Sequence, residues 1–137
     1  MRSTKINHSC NIVITFGDCD PAGIVFYPNF YRFIDRSFHD WLRSWGSHNK
    51  LASQVGGIAL GLIDSGAQFH HVVVDGDILD IQLSITKWTQ KTFRIEYKGY
   101  VDETLCLTAF EVRGLFKITD DKFKAKEITS LKDIIDP

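Results

Sequence analysis

Asp18 and Asp20 stand on either side of Cys19, and Pro21, Ala22 and Gly23 then force the chain into a turn. Tyr27-Pro28 follows shortly and marks a helix start, because proline fixes φ at the first helical position, where its missing N–H is not needed. A helix start exposes unpaired backbone N–H groups and carries a partial positive charge. With Pro28 contributing none, the free donors expected there are the amides of Tyr27, Asn29 and Phe30. A carboxylate beside such an end can attack a carbonyl, or steer water onto it, while the helix end stabilises the developing oxyanion. With a reference pKa of about 3.9, an aspartate is ionised at neutral pH, so either role is open without a large shift. This order of residue types points to hydrolysis.

The helix that carries this site is expected over residues 28–45. Phe30, Phe33, Ile34, Phe38, Trp41, Leu42 and Trp45 follow the i, i+3, i+4 rhythm of one apolar stripe, and Gly46 is a good stop. At 1.5 Å per residue such a helix is roughly 27 Å long, and its aromatic stripe needs a broad cover. That cover is legible downstream. Leu79, Ile81, Leu83 and Ile85 alternate with polar residues, as do Phe93, Ile95 and Tyr97, which is the period of half-buried strands. Residues 104–118 read as a more buried strand, 11–16 as a first strand, and 59–74 as another with bulges at Gly61 and Gly66. The joints at 89–91 and 102–103 are too short for parallel crossovers, so the three strands that they link pair antiparallel. Residues 47–57 read as a loop, and Ser130 as the cap of a short last helix. One long helix and an antiparallel sheet of about five strands make an α+β fold, with the sheet wrapped around the helix.

A length of 137 residues suits one domain, taken as 1–137. With 16 basic against 17 acidic residues the chain has no strongly basic balance, so neither nucleic acid nor a membrane is an expected partner. Cys10, Cys19 and Cys106 are odd in number and lack a CxxC spacing, which argues against a disulfide framework or a zinc site. No apolar run reaches about 18 residues, and the N-terminal residues lack an apolar signal core. A cytoplasmic location is expected.

The run FGDCDPAGIV at residues 16–25, with YPN at 27–29, closely resembles the signature of the 4-hydroxybenzoyl-CoA thioesterase branch of the hot-dog-fold thioesterases. Weaker similarity extends through residues 88–93 and the KAKEI segment at 124–128. The resemblance implies a hot-dog fold that hydrolyses an acyl-CoA thioester, such as 4-hydroxybenzoyl-CoA, to free acid and CoA. It implies Asp20 as the catalytic carboxylate, acting as nucleophile or as general base, and the Tyr27 amide as the group that polarises the thioester carbonyl. Asp18 is left as a structural residue. Asp35, two turns into the helix beside the stripe, matches the acid near the substrate's phenol end. Lys91 lies in the segment that contacts the CoA phosphates in that branch, although two of the basic positions there are Thr89 and Gln90 in this chain. Lys87 and Arg113 are further candidates for the phosphates. CoA is part of the substrate, and no cofactor or metal is implied. The resemblance also implies a homodimer or homotetramer with shared sites, in keeping with the need to cover an open strand edge.

Two other classes of function compete. A non-catalytic acyl-CoA-binding domain would keep the pocket without needing Asp20. A dehydratase on this fold would need a catalytic histidine on the long helix, where only His39 stands. Cys19 is a poor nucleophile, because its acidic neighbours raise a thiol's pKa. His70 and His71 are expected one inward and one outward, since adjacent strand residues face opposite ways, and so cannot chelate jointly. His8, His39 and His48 belong to no constellation and read as surface or packing residues. If Asp35 does not meet substrate, an exposed ion pair with Arg32 or Arg36 is the alternative, worth about a few tenths of a kcal/mol.

Overall fold

The aromatic stripe docks as its spacing requires. In the computed structural model, which describes residues 5–137, helix α1 (Pro28–Leu42) buries Phe30, Phe33, Ile34, Phe38, Trp41 and Leu42. A 3-10 turn (Arg43–Trp45) continues it, and Gly46 ends it at φ +99°, a conformation that side chains disfavour. The stripe meets an antiparallel sheet of β1 (His8–Val13), β2 (Ala59–Phe69), β3 (Ile78–Trp88), β4 (Thr92–Val101), β5 (Thr104–Thr119) and β6 (Lys122–Lys126). The strand order is β1-β3-β4-β5-β2, which leaves β2 at one edge. Leu79, Ile81 and Leu83 of β3 and Phe93, Ile95 and Tyr97 of β4 alternate inward beneath the helix, with the rings of Phe38 and Phe93 6.4 Å apart. Fully burying one such side chain contributes about 1.5–3 kcal/mol, so the stripe supplies most of the force that docks α1. No helix among the described residues is long and apolar enough to cross a membrane.

Several boundaries differ from expectation, each for a local reason. The first strand ends at Val13, not at residue 16. Ile12 and Ile14 are buried, but Phe16 lies in a 3-10 turn (Phe16–Asp18) and is 82% exposed, because the Asp18 carboxylate pulls the chain back onto Thr15. The expected loop after Gly46 contains helix α2 (His48–Gln54). Ser47 caps it by accepting from the Lys50 amide at 3.1 Å, and Leu51 and Ala52 turn into the core.

β2 stops at Phe69, and its irregularity falls between Leu62 and Asp64. Gly61 and Gly66 are instead clearings: a Cβ would lie 2.8 Å from the Phe116 ring at the first and 2.6 Å from the Phe110 ring at the second. A sixth strand, β6, follows a two-residue turn in which Asp120 and Asp121 both take positive φ, the geometry that lets a tight hairpin keep its twist. Leu115 and Phe116 pair with both β2 and β6, so β6 takes over on the side of β5 that β4 occupies further along. The last helix, α3 (Thr129–Ile135), starts after Ile128 and not at Ser130, and buries Leu131 and Ile135.

Candidate active site

The turn between β1 and α1 is braced from inside. Asp18 Oδ2 accepts the Thr15 amide at 2.9 Å and the Thr15 hydroxyl at 3.0 Å. The Asp18 carbonyl accepts the Phe26 amide and the Asn29 side-chain amide, each at 2.9 Å. Asp18 is thus spent on structure, which ties the turn to the first residues of the helix.

Asp20 is held differently. Its amide donates to the Ile24 carbonyl and its own carbonyl accepts the Gly23 amide, both at 2.9 Å, around a Gly23 at φ +81°. One carboxylate oxygen accepts the Ala22 amide at 2.9 Å, while the other has no hydrogen-bond partner among the described residues. Two main-chain bonds and one side-chain bond therefore fix this carboxylate in place and leave one oxygen available.

Of the three amides expected to be free at the helix start, one is. Asn29 N donates to the Phe26 carbonyl at 2.9 Å and Phe30 N to the Tyr27 carbonyl at 3.1 Å, closing tight first turns. The Tyr27 amide has no acceptor among the described residues. Tyr27 stands on the wall of a groove of about 240 Å³ that also includes Ile24, Val25, Phe30 and Phe69. Phe30 and Phe69 stack at 5.1 Å, and Tyr27 meets Phe69 edge-on at 6.4 Å. Val25 N bonds the Val73 carbonyl at 2.8 Å, so the segment after β2 closes the far wall. Asp20 itself does not line the groove; it borders it through its bond to Ile24.

His70 and His71 both line this groove and both are exposed, contrary to the one-in, one-out expectation. The alternation rule does not reach them, because β2 ends at Phe69. His70 Nε2 lies 2.8 Å from the Thr108 hydroxyl, and His71 Nδ1 lies 2.8 Å from the Val72 carbonyl. Cys19 is raised above the ordinary thiol range by burial and by the carboxylates of Asp75, Asp18 and Asp20, and so is not an activated nucleophile.

Asp35 lies eight residues past Tyr27, about 12 Å along the helix axis. It pairs with neither Arg32 nor Arg36. Arg113 Nη2 donates to its Oδ1 at 3.3 Å, and Arg113 is only 4% exposed. This overturns Arg113 as a phosphate contact: it points inward from β5 over the Phe38 ring at 4.1 Å, not out to solvent. Glu111, 6% exposed, takes Arg113 Nε at 3.2 Å and Nη2 at 3.0 Å, and also accepts the Tyr97 hydroxyl at 2.6 Å. Arg113 Nη1 donates to the Leu60 carbonyl of β2 at 3.0 Å, so this array and Asp35 lie on the flank of α1 toward the β2 edge. Lys91 is exposed on the turn between β3 and β4, and the Ile128 amide donates to the neighbouring Gln90 carbonyl at 3.1 Å. Neither Asp35 nor Lys91 lines the aromatic groove.

Residues 14–130 match the model of the thioesterase-like superfamily. The chain is 32% identical over 82 residues to the 4-hydroxybenzoyl-CoA thioesterase of Pseudomonas sp. (strain CBS-3). That alignment spans 58% of this chain and 58% of the relative's length, less than two thirds of either. Over 95 residues, 69% of each chain, it is 25% identical to a 1,4-dihydroxy-2-naphthoyl-CoA hydrolase of Crocosphaera subtropica. A gentisyl-coenzyme A thioesterase structure superposes with a TM-score of 0.80 at 26% identity, covering 92% of this chain and 99% of that one. A mutant 4-hydroxybenzoyl CoA thioesterase complexed with 4-hydroxybenzoyl CoA gives a TM-score of 0.80 at 25% identity, with coverages of 93% and 96%. By its sequence and by the long helix set against an antiparallel sheet, the chain belongs to the thioesterase-like superfamily and has the hot-dog fold of the 4-hydroxybenzoyl-CoA thioesterase branch.

Proposed function

We propose that this protein hydrolyses an acyl-CoA thioester with an aryl acyl group, such as 4-hydroxybenzoyl-CoA, to the free acid and CoA. The observation that carries the reading is the unpartnered Tyr27 amide, set at a helix start over an aromatic-walled groove that the Asp20 turn borders. The thioester carbonyl oxygen takes the Tyr27 N–H, and the charge that develops on it is stabilised by that donor and by the partial charge of the helix start. Asp20 acts by one of two routes. As nucleophile it adds to the carbonyl and expels the CoA thiolate, leaving a mixed anhydride that water cleaves; as base it takes the proton of the water that attacks directly. The thiolate is already a good leaving group, so neither route calls on a metal or redox cofactor.

The Phe30–Phe69 stack suits a flat acyl group, and the relatives above are named for hydroxylated aryl-CoA substrates. Asp35 is assigned to the ring hydroxyl and Lys91 to the CoA phosphates. The protein works as a homodimer or homotetramer. Joining two copies along the β2 edge covers the exposed Leu62, Ile63 and Phe69 and brings the Asp35 flank to the seam, where both chains contribute to each site.

The test is thiol release from a panel of acyl-CoAs by wild type and by Asp20→Asn. The substitution lowers turnover by at least about 10³ with fold and CoA binding retained, whereas Asp18→Asn chiefly lowers stability. Thiol release by Asp20→Asn within about tenfold of wild type would remove the acid from the chemistry. Failure of the wild type to release thiol at all would favour an acyl-CoA-binding role.

A further inference from the structure

The hydrolytic turn does not explain why β5 buries a charged pair under α1. Burying ions is expensive unless every group is paired, and Glu111 by itself neutralises Arg113 through two hydrogen bonds. Arg113 nonetheless extends Nη2 to Asp35, whose side chain is 58% exposed. The array therefore ends in a carboxylate presented to solvent.

A second chain of bonds reaches the same residue from the other side. The Leu60 amide donates to His48 Nε2 at 2.7 Å, so that nitrogen is an acceptor. Nδ1 of the neutral ring then holds the proton and donates to His39 Nε2 at 2.9 Å. His39 in turn must carry its proton on Nδ1, which donates to the Asp35 carbonyl at 2.8 Å and lies 3.5 Å from Asp35 Oδ2. One proton assignment satisfies the whole chain, with both rings neutral. The two rings meet edge to edge across this bond, with centroids 5.1 Å apart and planes 27° apart.

We propose that Arg113, Glu111, His39 and His48 are positioning residues that hold the Asp35 carboxylate as the acceptor for a hydroxyl on the substrate's ring. The proposal rests on the aryl-CoA hydrolase reading above. Arg113 engages Oδ1 from beneath and His39 stands beside Oδ2, so the carboxylate keeps one rotamer and pays little ordering entropy when substrate arrives. Acid opens the relay at His48. A proton on Nε2 would face the Leu60 N–H, donor against donor, with the Arg113 cation nearby. The charged and titratable groups around that ring are His39 and Asp35 from α1 and Arg113 from β5.

The experiment measures kcat and KM of the whole protein for 4-hydroxybenzoyl-CoA and benzoyl-CoA between about pH 5 and 8. Wild type prefers the hydroxylated ester, mainly through KM, and the preference shrinks as pH falls. His39→Phe keeps an aromatic ring at this place but removes both nitrogens, and lowers the preference about tenfold, the scale of one hydrogen bond to a charged group. His39→Asn, whose Nδ2 takes the place of Nδ1, restores most of it. Nitrogen-15 spectra of the wild-type imidazoles supply a readout that does not need activity: both rings are Nδ1–H tautomers. A folded His39→Phe with unchanged preference, or an Nε2–H tautomer at His48, overturns the proposal. So does a wild type that cleaves both esters equally well, a result that leaves the thioesterase reading intact. Failure to cleave either ester refutes both readings together.

Discussion

Replacing Arg113 with methionine isolates the energetics of the buried array. The substitution fills similar space but removes four hydrogen bonds: two to Glu111, one to the Leu60 carbonyl and one to Asp35. Glu111 is then left 6% exposed with the Tyr97 hydroxyl as its one remaining side-chain partner among the described residues, and the Leu60 carbonyl loses its side-chain donor. Breaking a buried ion pair from one side costs about 3–5 kcal/mol, because an uncompensated charge stays behind. Part of the total here is the lost contact of the guanidinium with the Phe38 ring, about 0.5–2 kcal/mol. Arg113→Met is therefore expected to lower unfolding stability by about 3–5 kcal/mol. Adding Glu111→Leu removes the stranded charge, and the double variant should recover at least half of that loss, since apolar replacements of whole ion pairs are often near neutral. The assay is urea denaturation at fixed protein concentration, with the slope checked for constancy. Strict additivity of the two substitutions would refute the argument, and so would an Arg113→Met variant within about 1 kcal/mol of wild type.

Two further outcomes follow from the geometry. Burial, then the neighbouring His39 and Arg113, hold His48 below its ordinary value of 6.5, so the folded state binds a proton less readily than the unfolded chain. Its contribution to stability is complete above about pH 6.5 and is lost as pH falls below that toward the lowered folded value; His48→Gln should flatten the slope, and stability that rises on acidification through this window would contradict the assignment. Gly57→Ala places a Cβ 2.4 Å from Leu115 Cδ1 and 2.9 Å from the Phe116 carbonyl oxygen, which already accepts the Ile58 amide. It should destabilise by about 1–3 kcal/mol in the same urea assay, and a silent substitution would mean that this junction yields easily.

The parts of the fold legible in the sequence are those where one periodicity acts alone. Pro28 and the aromatic spacing locate α1, and the clean alternation in β3 and β4 sets both strands and their shared face. Where two influences compete, pattern reading fails. β6 (KFKAK) has few apolar residues and is held by a tight turn and by its pairing to β5, neither of which registers as hydrophobic alternation. Arg113 and Glu111 occupy inward slots of β5 that periodicity reserves for apolar residues, so the charge of Arg113 reads in sequence as a contact to solvent-borne phosphates. α2 is too short to show a stripe, although Ser47 followed by the inward Leu51 and Ala52 was a usable signal.

The acid-bearing turn was readable because its residues are contiguous. The His39–His48 pair was not, since its members lie on different helices and meet only through tertiary packing. The two excess donors expected at the helix start are consumed by i to i−3 bonds that composition does not reveal.

The free donor at the start of α1 belongs to the main chain, and this affects how the site can be altered. Exchanging the Tyr27 side chain leaves its N–H in place, so scanning mutagenesis would pass over the position as tolerant or as a mere packing site. Only proline, or an amide-to-ester replacement made by chemical synthesis, deletes the group itself. Position 27 can therefore change its side chain and keep this donor, and what must be preserved is whatever shapes the backbone there: the proline after it and the Asp18 brace before it.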